Sequence, residues 1–150
     1  MNKEAGLGRS VYLPALRFDG ALPEPGGYGQ IGSRFWKRPA NWEQFVAAIR
    51  WAARDELPVR IGGPGFLAAN LVSQLEKRRW MLHLVNYHAR TGKPTGAIEV
   101  TCRLPAPAKE VRLYSPDTER SPAIPAKTEG TTVTFTLPPV TVYSIAAVSW

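Results

Sequence analysis

Apolar positions along the chain follow two periods, and the change falls near Pro58. Before it, the sustained pattern is helical. In "NWEQFVAAIRWAAR", residues 41–54, Trp42, Phe45, Val46, Ile49 and Ala53 recur at helical spacing and form one apolar stripe, with Glu43, Arg50 and Arg54 off it. Asn41 is a good N-cap residue and Gln44 lies three positions on, a capping-box pattern. Pro58 closes the helical region. Ahead of the helix, "RSVYLPAL" (9–16) predicts a short strand ended by a proline. The glycine- and proline-rich "DGALPEPGGYGQIGSR" (19–34) predicts a long loop.

After Pro58, alternation takes over. "PVRIGG" predicts a short strand. "FLAANLVSQLEKRR" (66–79) fits two templates. Leu67, Leu71 and Leu75 at four-residue spacing permit a helix; a strand forming a hairpin with 80–88 across a charged turn at 76–79 is the alternative. The hairpin is preferred because everything downstream is β. "AIEVTCRL" (97–104) puts Ile98, Val100, Cys102 and Leu104 on one face and Glu99, Thr101 and Arg103 on the other. "EVRLYS" (110–115) follows. "TTVTFTL" (131–137) turns Val133, Phe135 and Leu137 inward, and "VTVYSIAAVSW" (140–150) is apolar on both faces, as a central strand should be. Proline turns separate these segments. The expected fold class is mainly β: an antiparallel immunoglobulin-like sandwich of about six to eight strands over 57–150, preceded by a partial α/β segment (strand, loop, helix) over 1–56. One strand and one helix cannot fully cover each other, so the first segment is expected to be the end of a larger domain.

The bulk numbers fit this picture. A hydrophobic fraction of 44% and a charged fraction of 21% are those of a globular protein, and 14 prolines with 13 glycines favour short strands over long helices. The lone Cys102 cannot form an internal disulfide, so the fold does not depend on an oxidising compartment. No apolar run reaches membrane-span length, and "MNKEAGLGRS" lacks the apolar core of a signal peptide, which makes a cytoplasmic location the default and a membrane partner unexpected. The net charge of +7 raises the question of nucleic acid or another polyanion. The basic residues are scattered, however. The tightest clusters are Lys37-Arg38 and Lys77-Arg78-Arg79, the second at the expected hairpin tip, so nucleic acid is disfavoured.

Candidate chemistry is sparse. "WMLHLVNYH" (80–88) carries two histidines in an apolar run. On a regular strand His83 and His88 point to opposite sides and cannot chelate one metal. With one cysteine and no H-E-x-x-H, neither a metal nor a cofactor is expected. His83 reads as a partly buried histidine paired with a neighbour, and Asn86 as a residue bonding nearby backbone at the following turn. The acids, among them Glu43, Glu76, Glu99, Glu110, Asp117 and Glu119, fall at outward or loop positions, and none sits in a motif for paired-carboxylate chemistry. Cys102 lies mid-strand among inward residues and reads as core. No catalytic residue is assigned. The best binding candidate is the loop over 27–42, where Tyr28, Phe35 and Trp36 stand near Arg34, Lys37 and Arg38. Aromatics beside cations can stack on sugars or seal a protein interface. For Phe35 and Trp36 the interface reading is preferred, and Trp42 is expected in the core.

"GLGRSVYLPAL", the long loop and helix, "PVRI", "RRWMLHLVNYH", "VRLYSPD" and "LPPVTVYSIAAV" together resemble the C-terminal end of large bacterial glycoside-hydrolase-like proteins. In those proteins a catalytic barrel is followed by a glutamine-amidotransferase-like domain, similar to the β-galactosidase trimerisation domain, and then a small β-sandwich. The resemblance implies that 1–56 is the C-terminal remnant of the trimerisation-like domain and 57–150 the C-terminal sandwich. It implies a role in carbohydrate metabolism and catalytic carboxylates in the barrel rather than here, so the chain would be a fragment or truncated product, inactive on its own. The implied partner is the upstream domain of the same or a neighbouring chain. An orphaned apolar face on the helix over 42–49 is expected, favouring homo-oligomers. A carbohydrate-binding module on Tyr28, Phe35 and Trp36 is the first alternative and a polyanion binder the second.

Overall fold

The computed structural model describes residues 2–6, 8–13, 15–22, 38–89 and 92–150. The chain divides into two units, residues 1–57 and 58–150.

In the first unit, β1 (Asn2–Ala5) and β2 (Gly8–Val11) form an antiparallel hairpin whose register closes at Ala5↔Gly8. Gly6 turns the chain at φ 58°, a conformation that costs a residue with a Cβ. The single strand expected over 9–16 is thus shorter and has a partner before it. "NKEA" carries no apolar alternation, so periodicity is silent about β1. Helix α1 runs Trp42–Ala52. The expected capping box is not formed. Asn41 sits at φ −97°, ψ 26°, outside the extended region from which a cap side chain reaches the first turn. Its buried amide pairs elsewhere: Oδ1 accepts from the Arg17 N–H at 3.0 Å and Nδ2 donates to the Ala15 carbonyl at 3.0 Å. The apolar stripe is rotated from the one expected. Trp42, Phe45, Ala48, Trp51 and Ala52 are half-buried, and no helix residue is fully buried. Val46 and Ile49 face solvent, Ile49 at 55% exposure.

The second unit contains β3 (Val59–Gly62), β4 (Leu67–Gln74), β5 (Arg79–Asn86), β6 (Ile98–Arg103), β7 (Glu110–Tyr114), β8 (Ala126–Glu129), β9 (Thr132–Leu137) and β10 (Tyr143–Ser149). They form two antiparallel four-stranded sheets, ordered β4-β5-β10-β7 and β3-β6-β9-β8. The protein is mainly β, a β-sandwich preceded by a hairpin and a helix. The ambiguous segment 66–79 is the first arm of a hairpin, paired from Leu67↔Asn86 to Gln74↔Arg79. A four-residue leucine spacing is also a multiple of two, so Leu67 and Leu71 share a strand face as readily as a helix face. Leu75 begins a single 3-10 turn, Leu75–Lys77, and Arg78 at φ 46° returns the chain into β5. Strand β8 was not expected. All four of its residues are exposed, and it joins β9 through a turn with Gly130 at φ 59°.

The core lies between the sheets. Leu82 and Leu84 face Ile98, Val100 and Cys102, with Val133, Phe135 and Leu137 beside them, all at most 3% exposed. Burying each large aliphatic side chain contributes about 1.5–3 kcal/mol. Trp80 meets Trp150 edge-on, ring centres 5.9 Å apart. Strands β5 and β10 are central, as their two-sided apolar patterns predict. No helix among the described residues is long and apolar enough to cross a membrane.

Candidate functional site

The polar end of β5 is a structural knot. Strand pairing sends Leu82, Leu84 and Asn86 inward and Met81, His83 and Val85 outward. His83 bonds through Nδ1 to the Tyr143 hydroxyl. His88 lies beyond the strand, its ring stacked on Phe66 with centroids 4.1 Å apart. The two histidines therefore engage different partners, and no metal-holding group of three or more His, Cys, Asp or Glu exists among the described residues. Asn86 is 2% exposed. Its Nδ2 donates to the carbonyls of Lys93 at 2.8 Å, Thr141 at 2.9 Å and Val140 at 3.1 Å, and its Oδ1 accepts from the His88 N–H at 2.9 Å. Thr95, also buried, completes the knot: its N–H donates to the Val140 carbonyl and its Oγ1 accepts from the Val140 N–H. These bonds satisfy backbone groups that three converging segments would otherwise bury unpaired. The knot holds the sandwich end together and presents no reactive atom.

Cys102 is fully buried on β6. Burial pushes its thiol up to about 12, because a thiolate there would lose its hydration. Such a sulfur is neither a nucleophile nor a metal ligand at neutral pH.

The first unit carries an open cleft of about 550 Å³ lined by Arg9, Ala47, Arg50, Trp51, Arg54 and Asp55. Arg9 lies over the Trp51 indole, Cζ 4.8 Å from the ring centre, and donates to the Trp51 carbonyl at 2.9 Å. Arg50 grips Asp55 with Nε to Oδ1 at 2.7 Å and Nη2 to Oδ2 at 3.3 Å, a hydrogen bond and charge that raise the guanidinium's already high pKa. The helix stops here: Arg54 and Asp55 adopt positive φ, 52° and 59°, and the Asp55 N–H donates to the Arg50 carbonyl at 2.8 Å. Guanidinium groups beside the last carbonyls suit the negative end of a helix dipole. The cleft is a cationic helix terminus. As a sugar platform it is poor, since Arg9 occupies one face of the indole.

Of the sequence-derived site residues, Tyr28, Phe35 and Trp36 lie outside the described residues, as do Arg34 and Lys37. Arg38, from the same basic group, stacks over Trp42 at 4.6 Å, and Trp42 is half-buried rather than core. The cleft residues Arg9 and Trp51 escaped the sequence reading. Their link spans 42 positions, and no local pattern marks it.

No protein-family model matches the sequence, and no curated protein does. In three dimensions the chain is similar to alpha-L-fucosidase isoenzyme 2 from Paenibacillus thiaminolyticus, with a TM-score of 0.61 and 24% identity over 72% of this chain and 17% of that one. The chain thus spans a small part of that enzyme's length, and what the two share is a fold.

Proposed function

We propose that the chain is a non-catalytic structural and assembly module from the C-terminal part of a glycoside-hydrolase-like protein, inactive on its own. In this reading 1–56 is the remnant of a trimerisation-like domain and 57–150 the terminal sandwich. The observation that carries it is the contrast between the units. The sandwich closes over a complete apolar core. The first unit has no fully buried apolar residue among those described and leaves Tyr12, Leu13, Leu16, Leu22, Val46 and Ile49 exposed, Tyr12 at 80%, whereas the exposed apolar residues of the sandwich, Leu75 and Tyr87 among them, surround a buried core. Large apolar residues gathered on one small unit mark a surface made to be covered. The covering partner in this reading is the upstream domain of the same or a neighbouring chain. The fold likeness to a region of a fucosidase, over 72% of this chain, supports placing the parent among glycoside-hydrolase-like proteins.

The test uses the purified chain. Incubated with a panel of aryl glycosides, aryl α-L-fucoside included, it should release no aglycone. Turnover that disappears when one pair of acids is changed to amides would sink the proposal. The apolar surface should bind anilinonaphthalene sulfonate, and V46S/I49S should weaken that binding while leaving the sandwich melting transition in place. Unchanged dye binding in the double variant removes the covering role of α1.

A further inference from the structure

We propose that the free edge of β4 pairs with the same edge of a second copy of this chain, antiparallel about a two-fold axis at Asn70. Four strand edges bound the sandwich, and three are protected. Strand β3 has four residues and carries Arg60. Strand β8 also has four, all exposed, with Lys127 and Glu129 ion-paired at 2.7 Å. Strand β7 is covered by the following segment: Leu113 N–H donates to the Pro122 carbonyl at 3.0 Å and Ile124 N–H to the Val111 carbonyl at 2.8 Å. Charges, shortness and coverage are the usual defences of an edge. Strand β4 has none of them. Its eight residues, "LAANLVSQ", include no charge and no proline. Residues 68–74 have backbone partners only on β5 among the described residues.

The sequence of β4 also chooses a register. Side chains alternate faces, so a self-pairing that keeps both faces matched must place a residue opposite itself or one an even number away. Centring on Asn70 sets Asn70 opposite Asn70 of the second copy, where two amides can bond each other. Ala68 then meets Val72 on the outer face, and Ala69 meets Leu71 on the inner face, small against large in both cases. Centring on Leu71 instead sets Asn70 against Val72, a polar–apolar mismatch. The antiparallel sense also handles charge. Lys77, Arg78 and Arg79 crowd one end of β4, and in this register that end lies beside the uncharged 61–66 of the second copy. The two cationic turns end up roughly 45 Å apart, well beyond the reach of screened repulsion. The product is a continuous eight-stranded sheet, β7-β10-β5-β4 joined to its symmetry mate.

This pairing is separate from the apolar surface of the first unit, and the test keeps the two apart. Light scattering of the full chain from micromolar to near-millimolar concentration should show a mass rising from one chain to two and levelling there. N70K places two lysines face to face on the axis and should weaken the dimer at least tenfold, with its melting curve retained because Asn70 is exposed. N70C treated with copper phenanthroline should give one covalent dimer species. The other thiol, Cys102, is buried and contributes nothing. T128C on the protected β8 edge should cross-link far more slowly. A monomer at every concentration overturns the proposal. So does a dimer that N70K leaves intact, or association lost in V46S/I49S and kept in N70K.

Discussion

Removing the Asn86 amide should cost the sandwich more than its size implies. In N86A three carbonyls lose a donor and the His88 N–H loses its acceptor. The losses are unequal. The Val140 carbonyl keeps the Thr95 N–H at 3.1 Å. The carbonyls of Lys93 and Thr141 lose the amide and gain no other protein donor. Both lie where water can partly reach, so each costs near the lower end of the 1–3 kcal/mol range for an unsatisfied group. With the weakened turn at His88, the sum is about 2–3 kcal/mol. For a domain of this size that lowers the melting temperature by roughly 10–20 °C. N86D sharpens the test. It keeps the shape and the acceptor for His88 but aims a carboxylate oxygen at three carbonyls. That carboxyl's pKa rises in the folded state above its unfolded value near about 3.9. The folded chain then binds the proton more tightly than the unfolded one, so stability falls as pH rises from about 4 and levels off above the folded value. At neutral pH the order should be wild type, N86A, N86D. Urea unfolding followed by far-ultraviolet circular dichroism across that range measures it. An N86A variant within about 0.5 kcal/mol of wild type, inside ordinary surface-substitution scatter, would refute the knot's structural role. An N86D variant with no pH slope beyond wild type would refute its electrostatics.

Other consequences follow from single groups. Cys102 should resist thiol reagents in the native chain and react only as fast as the sandwich unfolds. Because its folded value of about 12 lies above the ordinary thiol value of 9.0, the native state holds the proton while the unfolded chain releases it. Relative to C102V, wild type should lose about 1.4 kcal/mol per pH unit between those values, and parallel pH profiles would contradict that. G130A should destabilise by about 1–2 kcal/mol and G130N by less, since a Cβ meets no atom there and the penalty lies in the positive φ alone; equal melting curves would remove this account. Titration with a broad glycan panel should leave tryptophan fluorescence unchanged, and a saturable response would favour the carbohydrate-binding alternative.

What was legible in the sequence tracks how each element is buried. Strands β6, β9 and β10 have one or both faces in the core, and their alternation named the inward residues correctly: Ile98, Val100 and Cys102, then Val133, Phe135 and Leu137. "WMLHLVNYH" was legible for the same reason. An apolar run broken by Asn and His can be buried only if those groups find partners, and Asn86 and His83 do. Strand β8 buries too little to write a period, and "NKEA" in β1 has no apolar alternation to read. "AKTE" is held by main-chain pairing with β9 and by a turn at Gly130, neither of which depends on side-chain polarity.

The cap and the cleft failed to show for a different reason. Asn41 has the right type for a cap, and type is all that local spacing can report. Its amide is drawn instead to the backbone at Ala15 and Arg17, more than twenty positions away, where two hydrogen bonds replace the one a cap would make. Arg9 over Trp51 is likewise a contact across 42 positions. The neutral edge of β4 lies between these cases. Its lack of charge is written plainly in "LAANLVSQ", yet that lack acquires meaning only once the sheet order leaves β4 outermost. A strand without charges in the middle of a sheet needs no explanation. At an edge it is an unguarded row of donors and acceptors, which among the described residues is left open on β4 while the other three edges are guarded.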